Sequence, residues 1–415
     1  MTRLGDVCAI RYGKDHKKLS DGSIPTYGSG GIMRYVDTAI CEQPSVLIPR
    51  KGTLGNLFYT DEPFWTVDTL FWTDIDQTKI VPKYLYYQLK QKDLASYNVG
   101  TAVPSLTVEV LNEIDLDVPS IDKQRRIVEV LNSFDSKIAL NNQLNDYLAN
   151  LCETIASRYC NDRNSRLRDI CYQVADHVDY DNANQETYVS TESLMQNKGG
   201  RQLASSLPTT GKITRYKAGD TLISNIRPYF KKIWYAPFEG TCSGDVIVFR
   251  ANDPSNAPYL HACLRQDSFF DYVMQGAKGT KMPRGDKKQM MEFKVASSCS
   301  AEDLILLDSV IKQRSDNDSE ITKLQKLRDT LLPKLMSGEI DVSKIDLTQL
   351  TNNHLPARGH NVPNRYWKEH LWKPLLITFC RRCRTCLIRH SSNIWPKCSE
   401  SHCCQFRKHQ CRRIC

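Results

Sequence analysis

Apolar positions between Pro119 and Cys160 recur at Ile127, Leu131, Phe134, Ile138, Leu144, Leu148, Leu151 and Ile155. Steps of three and four are the period of one helix face packing into a partner. Asn141 lies on the same stripe, where a buried polar side chain can fix register. At 1.5 Å per residue, about 35 residues predict a rod of roughly 50 Å, long enough to hold two bodies apart. A second stripe runs through Leu304, Leu307, Ile311, Ile321, Leu324, Leu327, Leu331 and Leu335, within a helix predicted over 302–336. Its polar middle, Arg314 to Glu320, weakens the seam. Pro333 is expected to kink or end this helix, with Gly338 at the stop. Two such helices can pack antiparallel and bury each other's stripes; two unrelated core helices are the alternative.

The remaining pattern is short β-rich runs broken by Gly, Pro and Asn turns, and it occurs twice. Arg3-Leu4-Gly5-Asp6-Val7-Cys8 returns as Arg166-Leu167-Arg168-Asp169-Ile170-Cys171. Ser45-Val46-Leu47-Ile48 returns as Asp220-Thr221-Leu222-Ile223, and Lys83–Leu89 as Pro258–Leu264. Gly100-Thr101-Ala102-Val103-Pro104 returns as Gly279-Thr280-Lys281-Met282-Pro283. Four pairs in one order indicate an internal duplication. Buried strands are expected at Val67–Ile75 and Asp245–Arg250, and short helices at Pro82–Lys90 and Pro258–Arg265. The plan is body, long helix, body, long helix, in a mixed α+β fold with a pseudo-twofold repeat. The expected domains are 1–117, 118–160 (helix), 161–298, 299–347 (helix) and a tail, 348–415.

Charge sharpens the boundary of the tail. The net charge of the 415 residues is +9, yet 348–415 holds 13 Lys and Arg against 2 Asp and Glu. The first 347 residues carry 43 basic and 45 acidic side chains, so only local clusters can argue for a nucleic-acid partner. Eight of the 16 cysteines fall between Cys380 and Cys415. Cys380, Cys383, Cys386 and Cys398 have spacings that could suit zinc, but two well-spaced Cys-x2-Cys knuckles are missing. The tail is therefore expected to be disordered or frameshift-derived, not a zinc module, and no metal or cofactor is expected. The other cysteines are scattered as in a reduced cytosolic protein. No apolar run reaches membrane-spanning length and the first residues do not form a signal peptide, so no membrane partner and a cytoplasmic location are expected.

The duplicated plan resembles the specificity subunit of type I restriction–modification systems. So do Gln124-Arg125-Arg126-Ile127-Val128, opening the central helix, and Leu331-Leu332-Pro333-Lys334-Leu335-Met336-Ser337-Gly338-Glu339-Ile340, closing the distal one. The resemblance covers residues 1 to 347. It implies two target recognition domains, each reading half of a bipartite, asymmetric site in double-stranded DNA. It further implies that the helices space the halves and dock two adenine methyltransferase subunits, restriction/translocase subunits joining them. Gln124, Arg126, Ile127 and Leu131 are the expected docking residues. The distal helix lacks a Gln-Arg-Arg-Ile opening, which puts one docking face in question.

Catalytic signatures are missing from the chain: no Asn-Pro-Pro-aromatic motif for a flipped adenine, and no Gly-Lys-Ser/Thr phosphate loop. Asp286 with Glu292-Phe293-Lys294 is too short a nuclease-like spacing to carry cleavage, so a non-catalytic binding subunit is expected. DNA-facing candidates in the first body are Lys14, Lys17, Lys18, Tyr27, Ser29, Gly30, Arg50, Lys51, Thr101 and Ser105. Glycines at Gly28, Gly30 and Gly31 let backbone amides approach a phosphate. Arg suits bidentate contact with guanine and Asn with adenine. In the second body the candidates are Asn225, Arg227, Tyr229, Lys231, Lys232, Lys278, Thr280, Lys281, Arg284 and Lys287, with Lys288 beside them. More of these should hold phosphates than read bases; a solvated charged face is the plain alternative. An inactive or phase-variable specificity subunit, or a protein-interaction scaffold without DNA binding, stand as the other functional readings.

Overall fold

The computed structural model describes residues 2–100, 103–159 and 164–345. The Cys-rich tail, with Cys380, Cys383, Cys386 and Cys398, lies outside the described residues, as does Thr101.

Each body is built on a four-stranded antiparallel sheet of the same order. In the first it runs Cys8–Tyr12, Leu70–Ile75, Ser45–Pro49, Phe58–Thr60. In the second it runs Cys171–Gln173, Val246–Ala251, Thr221–Ser224, Ile233–Tyr235. Ser45–Pro49 and Thr221–Ser224 are buried at every position, as strands covered on both faces must be. A three-stranded sheet accompanies each. It comprises Gly31–Val36, Asp21–Gly28 and Trp65–Thr66 in the first body, and His177–Asp179, Lys212–Tyr216 and Gly240–Cys242 in the second. The helices Pro82–Lys90 and Ala257–Leu264 close the cores.

The repeated opening motif has a local cause. Asp6 Oδ2 accepts the Arg3 N–H at 2.7 Å and Asp169 Oδ2 accepts that of Arg166 at 2.8 Å, holding one helical turn at the same place in both bodies. Val7 O then accepts from Asp76 N, and Ile170 O from Asn252 N, both at 2.9 Å. One sequence feature, an Asp three residues after an Arg, therefore anchors the first strand of each sheet.

The central helix spans Ile121–Arg158 and the distal helix Ala301–Ser337. At 1.5 Å per residue the first is about 57 Å long. They run antiparallel: Asp135 pairs with Arg328 at 2.9 Å and Arg158 with Asp303 at 2.9 Å. The seam has two apolar ends and a polar middle. Ile127, Leu131, Phe134 and Ile138 join Leu324, Leu332, Leu335 and the core of the first body. Cys152, Ile155 and Ala156 join Leu307, Val310, Ile311 and the core of the second. Between them Asn317 Nδ2 donates to Asn145 Oδ1 at 2.9 Å, Asn145 Nδ2 to Asp318 Oδ1 at 2.7 Å, and Asn141 Nδ2 to Glu320 Oε2 at 2.8 Å.

Three expectations change. Leu144 and Leu327 leave the seam, at 38% and 48% exposure. One residue is 100° of helix, so seating Asn145 and Arg328 toward the partner turns their neighbours outward. Pro333 does not end the helix; four more residues follow before Gly338, in left-handed backbone at φ 78°, stops it. Near a helix C-terminus proline removes a single ladder bond, and burial of Leu335 and Met336 holds the last turn in place.

Candidate nucleic-acid interface

In the first body, the connection around Trp65–Leu70 gathers segments that are far apart in sequence. Lys14 N donates to Thr66 O at 2.9 Å, Val67 N to Tyr27 O at 3.0 Å and Arg50 N to Thr69 O at 2.9 Å. A Cβ at Gly13 would fall 2.0 Å from Val67 O, so only glycine permits this crossing. Lys14, Lys17 and Lys18 are exposed on the loop beside it, while Tyr27 is half-buried against Phe58. Ser29 and Gly30 form a hairpin tip, fastened by the Asn56 amide donating to Ser29 O at 3.1 Å. A Cβ at Gly30 would meet nothing within 4 Å. The tip is open to an approaching backbone.

The strand end that carries Arg50 and Lys51 meets the Gly-Thr-x-x-Pro turn. Lys51 bridges Ser105, Gly52 N donates to Pro104 O at 3.0 Å, and Leu106 N to Arg50 O at 2.9 Å. Asn98 Oδ1 accepts from Gly100 N at 2.9 Å and Ser105 N at 2.8 Å, closing the turn. Arg50 lies over the Tyr12 ring at 5.2 Å and donates to Asp68 O at 3.3 Å. Lys51 is exposed beside it.

The second body repeats these three contacts between strand end and turn. Ile226 bridges Arg284, Arg227 N donates to Pro283 O at 2.8 Å, and Gly285 N to Asn225 O at 3.2 Å. The equivalences are Arg50 with Asn225, Lys51 with Ile226, and Ser105 with Arg284. Arg227 and Lys231 sit in left-handed backbone, at φ 49° and 50°, on either side of the turn Pro228–Phe230. That turn pushes Tyr229 outward, to 46% exposure. Thr280, Lys281, Lys287 and Lys288 are exposed around the junction, and no ion pair holds Lys281, Lys287 or Lys288 among the described residues.

Several expected contacts are internal instead. Asn225 is buried, so its amide does not face a base in this conformation. Lys231 donates to Asp267 at 2.7 Å and Lys232 to Thr191 O at 2.6 Å. Lys231 and Lys198 together hold the Asp267 carboxyl below its ordinary range. Arg284 reaches Asp245 at 3.2 Å and Lys278 reaches Asp286 at 3.6 Å, both at exposed positions where such pairs exchange readily. Asp286 caps the short helix Lys287–Met291, and Glu292 pairs with Arg166 and Arg168, which leaves no nuclease constellation there.

The expected docking residues are also internal. Gln124 Oε1 accepts from Val81 N at 2.8 Å and its Nε2 donates to Pro119 O at 2.8 Å. Ile127 and Leu131 are fully buried in the first core. Arg126 donates to Ile345 O at 2.7 Å, tying the end of the described chain to the start of the central helix. The Gln-Arg-Arg-Ile motif thus seats the helix on its own chain, because a glutamine at the first turn can satisfy loop groups that the helix cannot.

The sequence reading missed Asn98 and Asp245, which frame the two junctions, and the Asp220–Arg250 pair beneath the second. Asn98 carried a usable signal, as an Asn two residues before the turn glycine. The pair did not, since its partners are 30 positions apart.

The sequence model described as the type I restriction modification DNA specificity domain matches residues 1–150. Over these residues the chain is similar to the type I restriction–modification specificity subunits. The EcoprrI specificity subunit of Escherichia coli is 27% identical over 186 residues, 41% of this chain and 42% of that one. The Haemophilus influenzae protein S.HindORF215P, likewise described as a type I specificity subunit, is 26% identical over 177 residues, 38% and 44% of the two chains. Matches to these two relatives thus span under half of their length. A longer match, 19% identical over 395 residues, covers 81% of this chain and 87% of the EcoDI specificity subunit of E. coli. A solved S subunit from M. genitalium aligns with a TM-score of 0.49 at 16% identity, covering 80% of this chain and 95% of that one.

Proposed function

We propose that this chain is the DNA-recognition subunit of a type I restriction–modification complex, without catalysis of its own. Residues 1–117 and 161–298 each read one half of a bipartite, asymmetric site in double-stranded DNA. The helix pair sets the spacing and supports two adenine methyltransferase subunits, with restriction/translocase subunits completing the assembly. The observation that carries this reading is the duplicated junction of strand end and Gly-Thr-x-x-Pro turn. Its main-chain contacts between strand end and turn are the same in both bodies, but Arg50 and Ser105 stand in one where Asn225 and Arg284 stand in the other. A constant frame with unlike polar side chains is what reading two different half-sites requires.

Exposed cations at Lys14, Lys17, Lys18, Lys51, Lys281, Lys287 and Lys288 supply backbone contacts. With near balance of charge over the first 347 residues, the isolated subunit binds DNA weakly, and tight, salt-sensitive binding needs its partners. The test is co-expression with cognate methyltransferase subunits and genome-wide mapping of methyladenine. A bipartite motif with unlike halves is expected, and exchanging residues 1–117 for those of another specificity subunit should change one half only. Absence of any new methylation from a complex that assembles would overturn the reading.

A further inference from the structure

Away from the two junctions, the second body and the helix pair form two open cavities that share a wall, of about 950 and 620 Å³. Arg201, Arg265 and Arg314 line both, and each has a buried Nε atom with no hydrogen-bond partner. Leaving a buried donor unpaired is costly, and three arginines doing so around one space point to a missing acceptor.

Three of the carboxylates nearby are already engaged, while Glu186 and Asp316 also line the smaller cavity. Glu153 holds Lys198 at 2.9 Å and Arg265 only at 3.6 Å; Asp267 holds Lys198 at 3.0 Å and Lys231 at 2.7 Å. Asp318 accepts the Asn145 amide. Asp146 lines the larger cavity as well, yet cations outnumber anions around both. Arg314 has no carboxylate within 4 Å among the described residues. Arg201 lies over the rings of Trp234 and Phe238, at 5.4 and 5.5 Å, and donates to the Glu186 carbonyl. Arg265 is 3% exposed. Burial, and then the neighbouring Arg314 charge, pull its guanidinium down to about 10. Like charges are being held close together in a partly buried space.

We propose that this arginine-lined cavity binds a free, small phosphate-bearing molecule, its phosphates received by Arg265 and Arg314 with Arg201 beside them. Guanidinium forks match phosphate oxygens two at a time. The volumes fall in the range of small-molecule sites, about 300–1,000 Å³, and are too small for a duplex. The site is independent of DNA reading and stands or falls separately from it.

Titration calorimetry on the full chain, with inorganic phosphate, pyrophosphate and ATP as probes and chloride as control, tests it. Saturable binding of pyrophosphate or ATP is expected, with a rise in melting temperature. Arg314→Met removes a cation with no carboxylate within 4 Å, so the unliganded melting temperature should change little, while affinity falls by about tenfold, the worth of one charge-assisted bond. Arg201→Met provides the second variant, read by the same titration. No saturable binding of any probe, or equal affinity in both variants and the wild type, overturns the proposal. So does displacement of the probe by a short duplex, which assigns the cavity to the DNA backbone.

Discussion

The two bodies share a backbone plan and differ in what fixes it. At the foot of the equivalent strand the first body places Ser45, whose Oγ donates to Thr73 O at 2.8 Å and accepts from Thr73 N at 3.0 Å. The second places Asp220, held by two bonds from Arg250 at 2.7 and 2.6 Å. One copy locks the central strand with hydroxyls, the other with an ion pair whose carboxylate is buried. Above that lock the junctions are the same in main-chain bonding and different in side chains. Duplication therefore preserves the frame, which is a matter of backbone pairing, and releases the positions that do not pair.

The largest expected effect breaks that comparison at its base. Asp220→Ala leaves Arg250 unmatched under the sheet and should cost about 3–5 kcal/mol. Ser45→Ala should cost only about 1–3 kcal/mol, the penalty of an unsatisfied neutral group. Urea unfolding of the full chain, followed at Trp234 in the second body, measures both; equal losses would show that the two locks do not differ. Next in size, Arg284→Ala should relax selection at one position of one half-site by about 1–3 kcal/mol and leave the other half untouched. Methyladenine mapping in the assembled complex reads this directly, and relaxation in both halves would contradict separate reading by the two bodies.

A smaller effect lies where the helix pair meets the first body. Asp135 accepts from Tyr87 at 2.5 Å and from Arg328 at 2.9 Å. Burial pushes its carboxyl up, but Tyr87, Arg328 and Lys83 outweigh it and leave the group below its ordinary value. Stability from this site is therefore complete above the unfolded carboxyl range, about pH 4, and is lost as pH falls through the lower folded value. Asp135→Asn should lower stability at pH 7 by about 1–2 kcal/mol and flatten the acid side of the stability curve. Unfolding midpoints between pH 2.5 and 7 check it; an unchanged acid limb would remove Asp135 from the account. The smallest effect is Lys281→Ala, which should weaken DNA binding of the complex evenly across sequences and reduce the salt slope by about one. Lys231→Ala, whose ammonium is held by Asp267, should leave that slope unchanged.

Much of the frame was legible in the chain itself. Spacing of three and four outlined both long helices to within two or three residues at most of their ends, and the Arg-x-x-Asp opening marked where each sheet begins. The paired Gly-Thr-x-x-Pro turns were visible as repeats, because glycine and proline at a turn record a backbone requirement. The error at Leu144 and Leu327 has a plain origin: a stripe of leucines does not say which of two adjacent positions the partner will face. Gln124 and Ile127 are expected from sequence to dock a partner, but the same short motif serves the chain's own fold, and sequence alone does not tell the two apart.

What the sequence by itself determined is the order of elements, the duplication and the places where cations and glycines cluster. These follow from local periodicity and turn chemistry, which act over a few residues. Only the tertiary structure decided which cations remain free, which carboxylates hold the rest, and that three arginines from separate segments face one cavity. Such pairings depend on distances between residues tens to more than a hundred positions apart, and Coulomb and hydrogen-bond energies are set by those distances and by burial.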